Sequence, residues 1–169
     1  QEIEILFTRL KKMGVVRLGL FGGEPLVRKD IGQIVDLAKS MGFFVSFNSN
    51  LLLYDRYENQ LDGVDYFFTS LDGPPEVHLK NRGKHSYEKI LQSIRKIVKK
   101  GQKMTVICVV TGPDKPSADY LIDLAEKENV DIHFQQECYD AENAGRSAPG
   151  GMQQEEVREF WRYLLKRKK

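Results

Sequence analysis

Cysteine is scarce, with two in 169 residues, and there is a single tryptophan. Two thiols cannot make a disulfide framework, and free thiols fit a reducing, cytoplasmic setting. Long hydrophobic runs are missing too. None approaches the roughly 20 residues of a membrane helix, so no membrane association is expected. Nor does either charge dominate: 26 Lys and Arg stand against 24 Asp and Glu, a net charge of +2. That balance gives no general reason to expect nucleic acid. The basic tail Lys166-Arg167-Lys168-Lys169 suits the negative end of a helix dipole. What is present is a core's worth of apolar residues, 41% of the chain with 9 Phe and 7 Tyr, which argues against disorder. The length suits one domain over residues 1–169, since domains cluster near about 100–150 residues. Gln1 stands where a start methionine would, no secretory segment follows, and helical spacing begins at once. The sequence therefore reads as one cut from a longer chain, or processed.

Periodicity predicts alternating elements. Helices are expected over 2–13, 29–41, about 55–62, 86–100, 117–128 and about 153–167. Strands are expected over Val15–Phe21, Phe43–Asn48, Asp65–Leu71, Lys103–Val110 and Val130–Gln135. A Gly/Pro/Ser-rich loop, Gly145–Gly151, precedes the last helix. Such alternation predicts an α/β fold with a parallel sheet and right-handed crossovers. Runs such as Val106-Ile107-Cys108-Val109-Val110 fit a sheet buried on both faces. A doubly wound sheet and a barrel both remain open, and both put function at the carboxyl ends of the strands.

Polar clusters fall at those ends. After the first strand comes Gly22-Gly23-Glu24-Pro25-Leu26. Paired glycines permit positive φ and bare backbone approach. With the Glu24 carboxylate they suit a cationic donor such as an ammonium group; the plainer reading is a β-α turn with a capping acid. Neither the Gly-x-Gly-x-x-Gly fingerprint nor a P-loop is present, which disfavours phosphate binding. Asn48-Ser49-Asn50 ends the second strand, either as a turn or as hydrogen-bonding groups over the rim. Ser70 and Asp72, two apart on the third strand, share a face. They could hold a ribose or the polar part of an amino acid, or simply form an Asp-Gly turn. The fifth strand ends in Gln135-Gln136-Glu137. His78, Arg82 and His85 lack metal-ligand spacing, so a structural or solvated role is expected. Cys108 reads as core and Cys138 follows the fifth strand; neither is expected to bind metal. Arg17 and His133 are expected on strand surfaces and Trp161 in the core.

In order and spacing these motifs resemble the radical S-adenosylmethionine (radical SAM) superfamily, over roughly residues 3–135. Gly22-Gly23-Glu24-Pro25-Leu26 is similar to that family's GGEPL, and Asn48-Ser49-Asn50-Leu51-Leu52-Leu53 to its TNGLLL-type segment. Ser70-Leu71-Asp72-Gly73 is similar to its SLDG, and Arg82-Gly83-Lys84-His85-Ser86-Tyr87 to its RGxGSF. Peptide- and cofactor-modifying members look most similar. The resemblance implies a parallel-sheet partial (β/α)6 barrel truncated before its first strand. In that family the Cys-x3-Cys-x2-Cys arm for a [4Fe-4S] cluster follows the first strand, so the resemblance implies that it would lie upstream of Gln1; no three-Cys motif exists here. The family's chemistry is reductive cleavage of S-adenosylmethionine, giving methionine and a 5′-deoxyadenosyl radical that abstracts hydrogen from a substrate. Its partners would be a peptide or small-molecule substrate and an electron donor such as ferredoxin or flavodoxin.

Residue by residue, Gly22, Gly23 and Glu24 would take the methionyl ammonium. Ser70 would take the carboxylate or ribose, with Asp72 nearby, and Gln135 the ribose or substrate. Asn48 occupies the place of the family's Thr, Ser49 that of its Asn and Asn50 that of its Gly. A barrel scaffold that has lost the cluster, or a nucleotide-binding α/β domain, is the alternative. A chain starting after the first strand would expose a sheet edge along Val15–Phe21. It is expected to dimerise or aggregate there, and a monodisperse monomer in light scattering with that edge uncovered would contradict this.

Overall fold

The structure, a computed structural model, describes residues 2–83, 86–110, 112–136 and 154–167. Cys138, His85 and the Gly145–Gly151 loop lie outside those residues. Five parallel strands, β1 (Arg17–Leu20), β2 (Phe44–Asn48), β3 (Tyr66–Ser70), β4 (Lys103–Val110) and β5 (Asp131–Gln136), lie side by side in chain order. Between and around them run α1 (Glu2–Lys12), α2 (Ile31–Ser40), the single turn α3 (Tyr54–Tyr57), α4 (Pro75–Arg82), α5 (Ser86–Lys99), α6 (Lys115–Glu128) and α7 (Gln154–Arg167).

Strand order decides between the two closures. A doubly wound sheet reverses direction at a switch point; here each strand pairs with its successor from β1 to β5. Repeated crossovers of one hand in one direction place the connecting helices on one face. Alternate strand residues accordingly differ in fate. Leu18, Val45, Phe47, Phe67, Met104, Val106 and Cys108 are buried beneath the helices. Arg17, Phe44, Asn48, His133 and Gln135, on the opposite face, are exposed. The expectation of a sheet buried on both faces therefore holds for one face only, as in an open barrel whose inner wall is not closed.

Local chemistry sets the boundaries. Asp114 caps α6, its carboxylate accepting from the Ser117 amide at 3.1 Å and hydroxyl at 2.6 Å, and Asn129 ends that helix in the left-handed conformation. Asp65 accepts from the Val45 amide at 2.7 Å and pairs with Lys39 at 2.6 Å, tying α2 to the starts of β2 and β3. The core beneath the sheet includes the Phe7–Phe43, Phe47–Phe67 and Tyr54–Phe67 ring contacts. Trp161 is half-buried, beside the buried Phe160 of α7. Helix α4, like the short 3-10 turn Pro25–Val27, is an element the periodicity did not predict. Among the described residues, no helix is long and apolar enough to cross a membrane. β1 is an outer strand of the sheet, and Val16 and Phe21 on either side of it are 71% and 78% exposed.

Candidate functional site

Three consecutive strand ends supply the site. The turn after β1 delivers Gly22, Gly23 and Glu24; β2 ends in Asn48 and continues through Ser49 and Asn50; β3 ends in Ser70. All seven line one cavity of about 380 Å³, closed on its far side by His78, Arg82, Ser86 and Ile90 from α4 and α5. That volume lies within the roughly 300–1,000 Å³ of small-molecule sites.

Glu24 organises this rim. Its Oε1 accepts from the Leu26 amide at 3.0 Å and the Ser49 hydroxyl at 2.7 Å, and its Oε2 accepts from the Asn50 amide at 2.8 Å. One carboxylate thus caps its own turn and clamps it to the end of β2. A carboxylate offers about four acceptor positions, so most of its capacity is spent within the chain. Gly22 has φ +149, and space is open where a Cβ would stand on Gly22 or Gly23, so a ligand can approach bare backbone.

The Asn50 side chain accepts from the Leu52 amide at 2.9 Å, forming an Asx turn. Positive φ falls on the next residue, Leu51, at φ 59. A buried leucine in that region carries backbone strain of order 1–3 kcal/mol. It is held there by the Ser49 hydroxyl, which accepts from its amide at 2.9 Å, and by Ser93, which donates to its carbonyl at 3.2 Å.

Asp72 stands behind the cavity rather than in it. Its carboxylate receives Arg82 Nε at 2.8 Å and Nη2 at 3.0 Å. The Asp72 side chain is 6% exposed and that of Arg82 39%, so a buried carboxylate anchors a partly exposed guanidinium in the cavity wall. Of five N–H donors on Arg82, two are used on Asp72. Arg82 is the one cation among the lining residues. Sequence reasoning missed it as a site residue because it sits on an unanticipated helix; the signal was the opposite charge ten positions after Asp72.

Gln135 is not brought to this cavity. It is exposed on β5, two strands beyond β3, because a shared rim on a curved sheet does not mean a shared place. His78 is fully buried, in keeping with the structural role expected of it. Burial lowers its pKa, with Asp72 opposing and Arg82 reinforcing the shift. Cys108 is core: burial pushes its thiol up to about 12, which makes it a poor ligand or nucleophile. Among the described residues no three His, Cys, Asp or Glu side chains are placed to hold a metal.

Gly73 joins the site to α6. At φ +153, a Cβ there would stand 2.8 Å from Ser117 Oγ and 3.1 Å from Val77 Cβ. Gly73→Ala is expected to cost about 1–3 kcal/mol. At roughly 2–4 °C per kcal/mol for a chain of this size, differential scanning fluorimetry should detect the loss.

Sequential parallel strands, helices on one face and a polar cavity at the carboxyl ends define an open β/α barrel with a rim site. The family model of the radical SAM superfamily matches residues 1–126, and the chain belongs to that superfamily. Among solved structures, SuiB of Streptococcus suis bound to S-adenosylmethionine is similar at 15% identity and TM-score 0.81, covering 97% of this chain and 38% of that one. The enzyme anSMEcpe with bound AdoMet and Kp18Cys peptide is similar at 16% identity and TM-score 0.82, covering 97% and 50%. A domain of pyruvate-formate lyase-activating enzyme from Bacteroides vulgatus is similar at 13% identity and TM-score 0.67, covering 88% and 92%. The chain thus spans half or less of SuiB and anSMEcpe.

Proposed function

We propose that this chain is the core of a radical SAM enzyme and that S-adenosylmethionine binds across the β1–β3 rim. The observation that carries the reading is the convergence of the Gly22–Glu24 turn, the Asn48–Asn50 turn and Ser70 on one cavity that also holds a cation, Arg82. The donor set suits the methionyl group. The backbone carbonyls of Gly22 and Gly23, with the remaining capacity of Glu24, accept from the ammonium. Arg82, with its three spare N–H donors, and the Ser70 hydroxyl take the carboxylate. Asp72 acts through Arg82 rather than on the ligand, and Gln135 is left to a substrate lying further along the sheet.

A [4Fe-4S] cluster does not fit the described residues, which offer no ligand set; in this reading its thiolates belong to a segment outside them. Such a cluster supplies the electron for reductive C–S cleavage. The chain's own residues bind and orient the cosubstrate. A peptide substrate is favoured by the neighbours that bind peptides, SuiB with precursor peptide SuiA and anSMEcpe with its Kp18Cys peptide. A ferredoxin or flavodoxin donor and a cytoplasmic setting complete the proposal.

The test is anaerobic reconstitution of the full-length protein with iron and sulfide, followed by assay for 5′-deoxyadenosine under a strong reductant. Product formation is expected. A fully loaded cluster with no product, and no S-adenosylmethionine binding by calorimetry, would leave the scaffold reading in its place.

A further inference from the structure

We infer that His78 is a positioning residue for this rim: through Ser86 it fixes the corner between α4 and α5 and so aims Arg82 into the cavity. The inference rests on the rim being an S-adenosylmethionine site. His78, Arg82, Ser86 and Ile90 recur every fourth residue and all face the cavity, although α4 stops at Arg82 and α5 starts at Ser86. Something must keep the two helices in phase across the break.

The imidazole is placed to do so. Its Nε2 lies 2.9 Å from Ser86 Oγ, which in turn lies 3.5 Å from the carbonyl of Gly83, the residue after Arg82. With Nε2–H donating to Ser86 and the serine hydroxyl donating onward, a relay runs from the second turn of α4 around the corner to Arg82's neighbour. The ring also packs edge-on against Tyr87 at 5.8 Å, whose hydroxyl pairs with that of Tyr120 on α6 at 2.5 Å. The imidazole thus joins α4 to α5, and Tyr87 carries the link on to α6.

The other ring nitrogen, Nδ1, is buried without a hydrogen-bond partner. An orphaned buried polar atom costs stability, so a space-filling role would be better served by an apolar side chain. The nitrogen at Nε2 is what the position requires. Asp72 fixes one edge of the Arg82 guanidinium, and the His78 relay fixes the backbone from which that side chain springs.

The test compares S-adenosylmethionine with decarboxylated S-adenosylmethionine as calorimetric probes. The unaltered protein should prefer the carboxylated ligand by about tenfold or more, the contribution of a charge-assisted contact. His78→Ala should weaken only the carboxylated ligand and erase the preference. His78→Gln, whose amide nitrogen can replace Nε2, should restore most of it. If His78→Ala does not fold, Ser86→Ala breaks the same relay and should erase the preference while still folding. Loss of affinity for both ligands alike, or an undiminished preference in His78→Ala or Ser86→Ala, would overturn the inference alone. A parent protein that binds neither ligand would overturn the site reading and this inference with it.

Discussion

Glu24→Ala is expected to lower both the melting temperature and the affinity for S-adenosylmethionine. The two losses have one origin. The carboxylate accepts hydrogen bonds from Leu26, Ser49 and Asn50, and bonds to a charged acceptor contribute about 1.5–3 kcal/mol each, less than additively. A combined loss of about 3 kcal/mol corresponds to a melting point lower by roughly 6–12 °C. Without the clamp, the Gly22–Glu24 turn and the Asn48–Asn50 turn separate, and the ammonium loses both its acceptors and their spacing. Affinity should fall at least tenfold. A carboxylate that only touched the ligand would cost affinity and leave stability alone. Glu24→Gln sharpens the contrast: its amide can keep one acceptor for Leu26 and Ser49 but turns a donor toward the Asn50 amide. Most of both losses should persist. Thermal melts and calorimetry on the two variants check this, and unchanged binding would reject the role given to the carboxylate.

Where the sequence was legible, one local rule was sufficient. The limits expected for β4, Lys103–Val110, are those observed, because an apolar, β-branched run is bounded by Lys-Gly-Gln and Gly-Pro. The first three rim clusters were legible because Gly22-Gly23, Asn48-Ser49-Asn50 and Ser70 interrupt apolar strands with residues a core would not contain. Helix α4 was hidden. Pro74-Pro75 reads as a turn, and Pro75–Arg82 has only Val77 and Leu79 as aliphatic residues, so no apolar stripe marks it. The face it buries carries His78, which hydropathy does not count as core. With the helix went Arg82, and with Arg82 the reason Asp72 matters. Gln135 lies on the expected rim but away from this cavity, because the distance between β3 and β5 along that rim is tertiary information.

Removing Arg82 alone and together with Asp72 separates ligand binding from folding. Arg82→Ala deletes the one cation lining the cavity, and loss of its bonds to a ligand carboxylate, about 1.5–3 kcal/mol, corresponds to roughly 10- to 100-fold weaker binding. It also strands Asp72, whose side chain is 6% exposed. Leaving a buried charge uncompensated costs about 3–5 kcal/mol, toward the lower end here because Arg82 itself is partly in water. Arg82→Lys should recover little, since an ammonium cannot grip Asp72 with two bonds and still present donors to the cavity. The double variant Asp72→Ala/Arg82→Ala should regain much of the stability, because no orphaned charge remains, yet bind as weakly as Arg82→Ala. Asp72→Asn should lie between, keeping one acceptor for the guanidinium and freeing its other edge to wander. A double variant that recovers binding along with stability would show that Arg82 serves only to neutralise Asp72, and the carboxylate of the ligand would then need another partner on the rim.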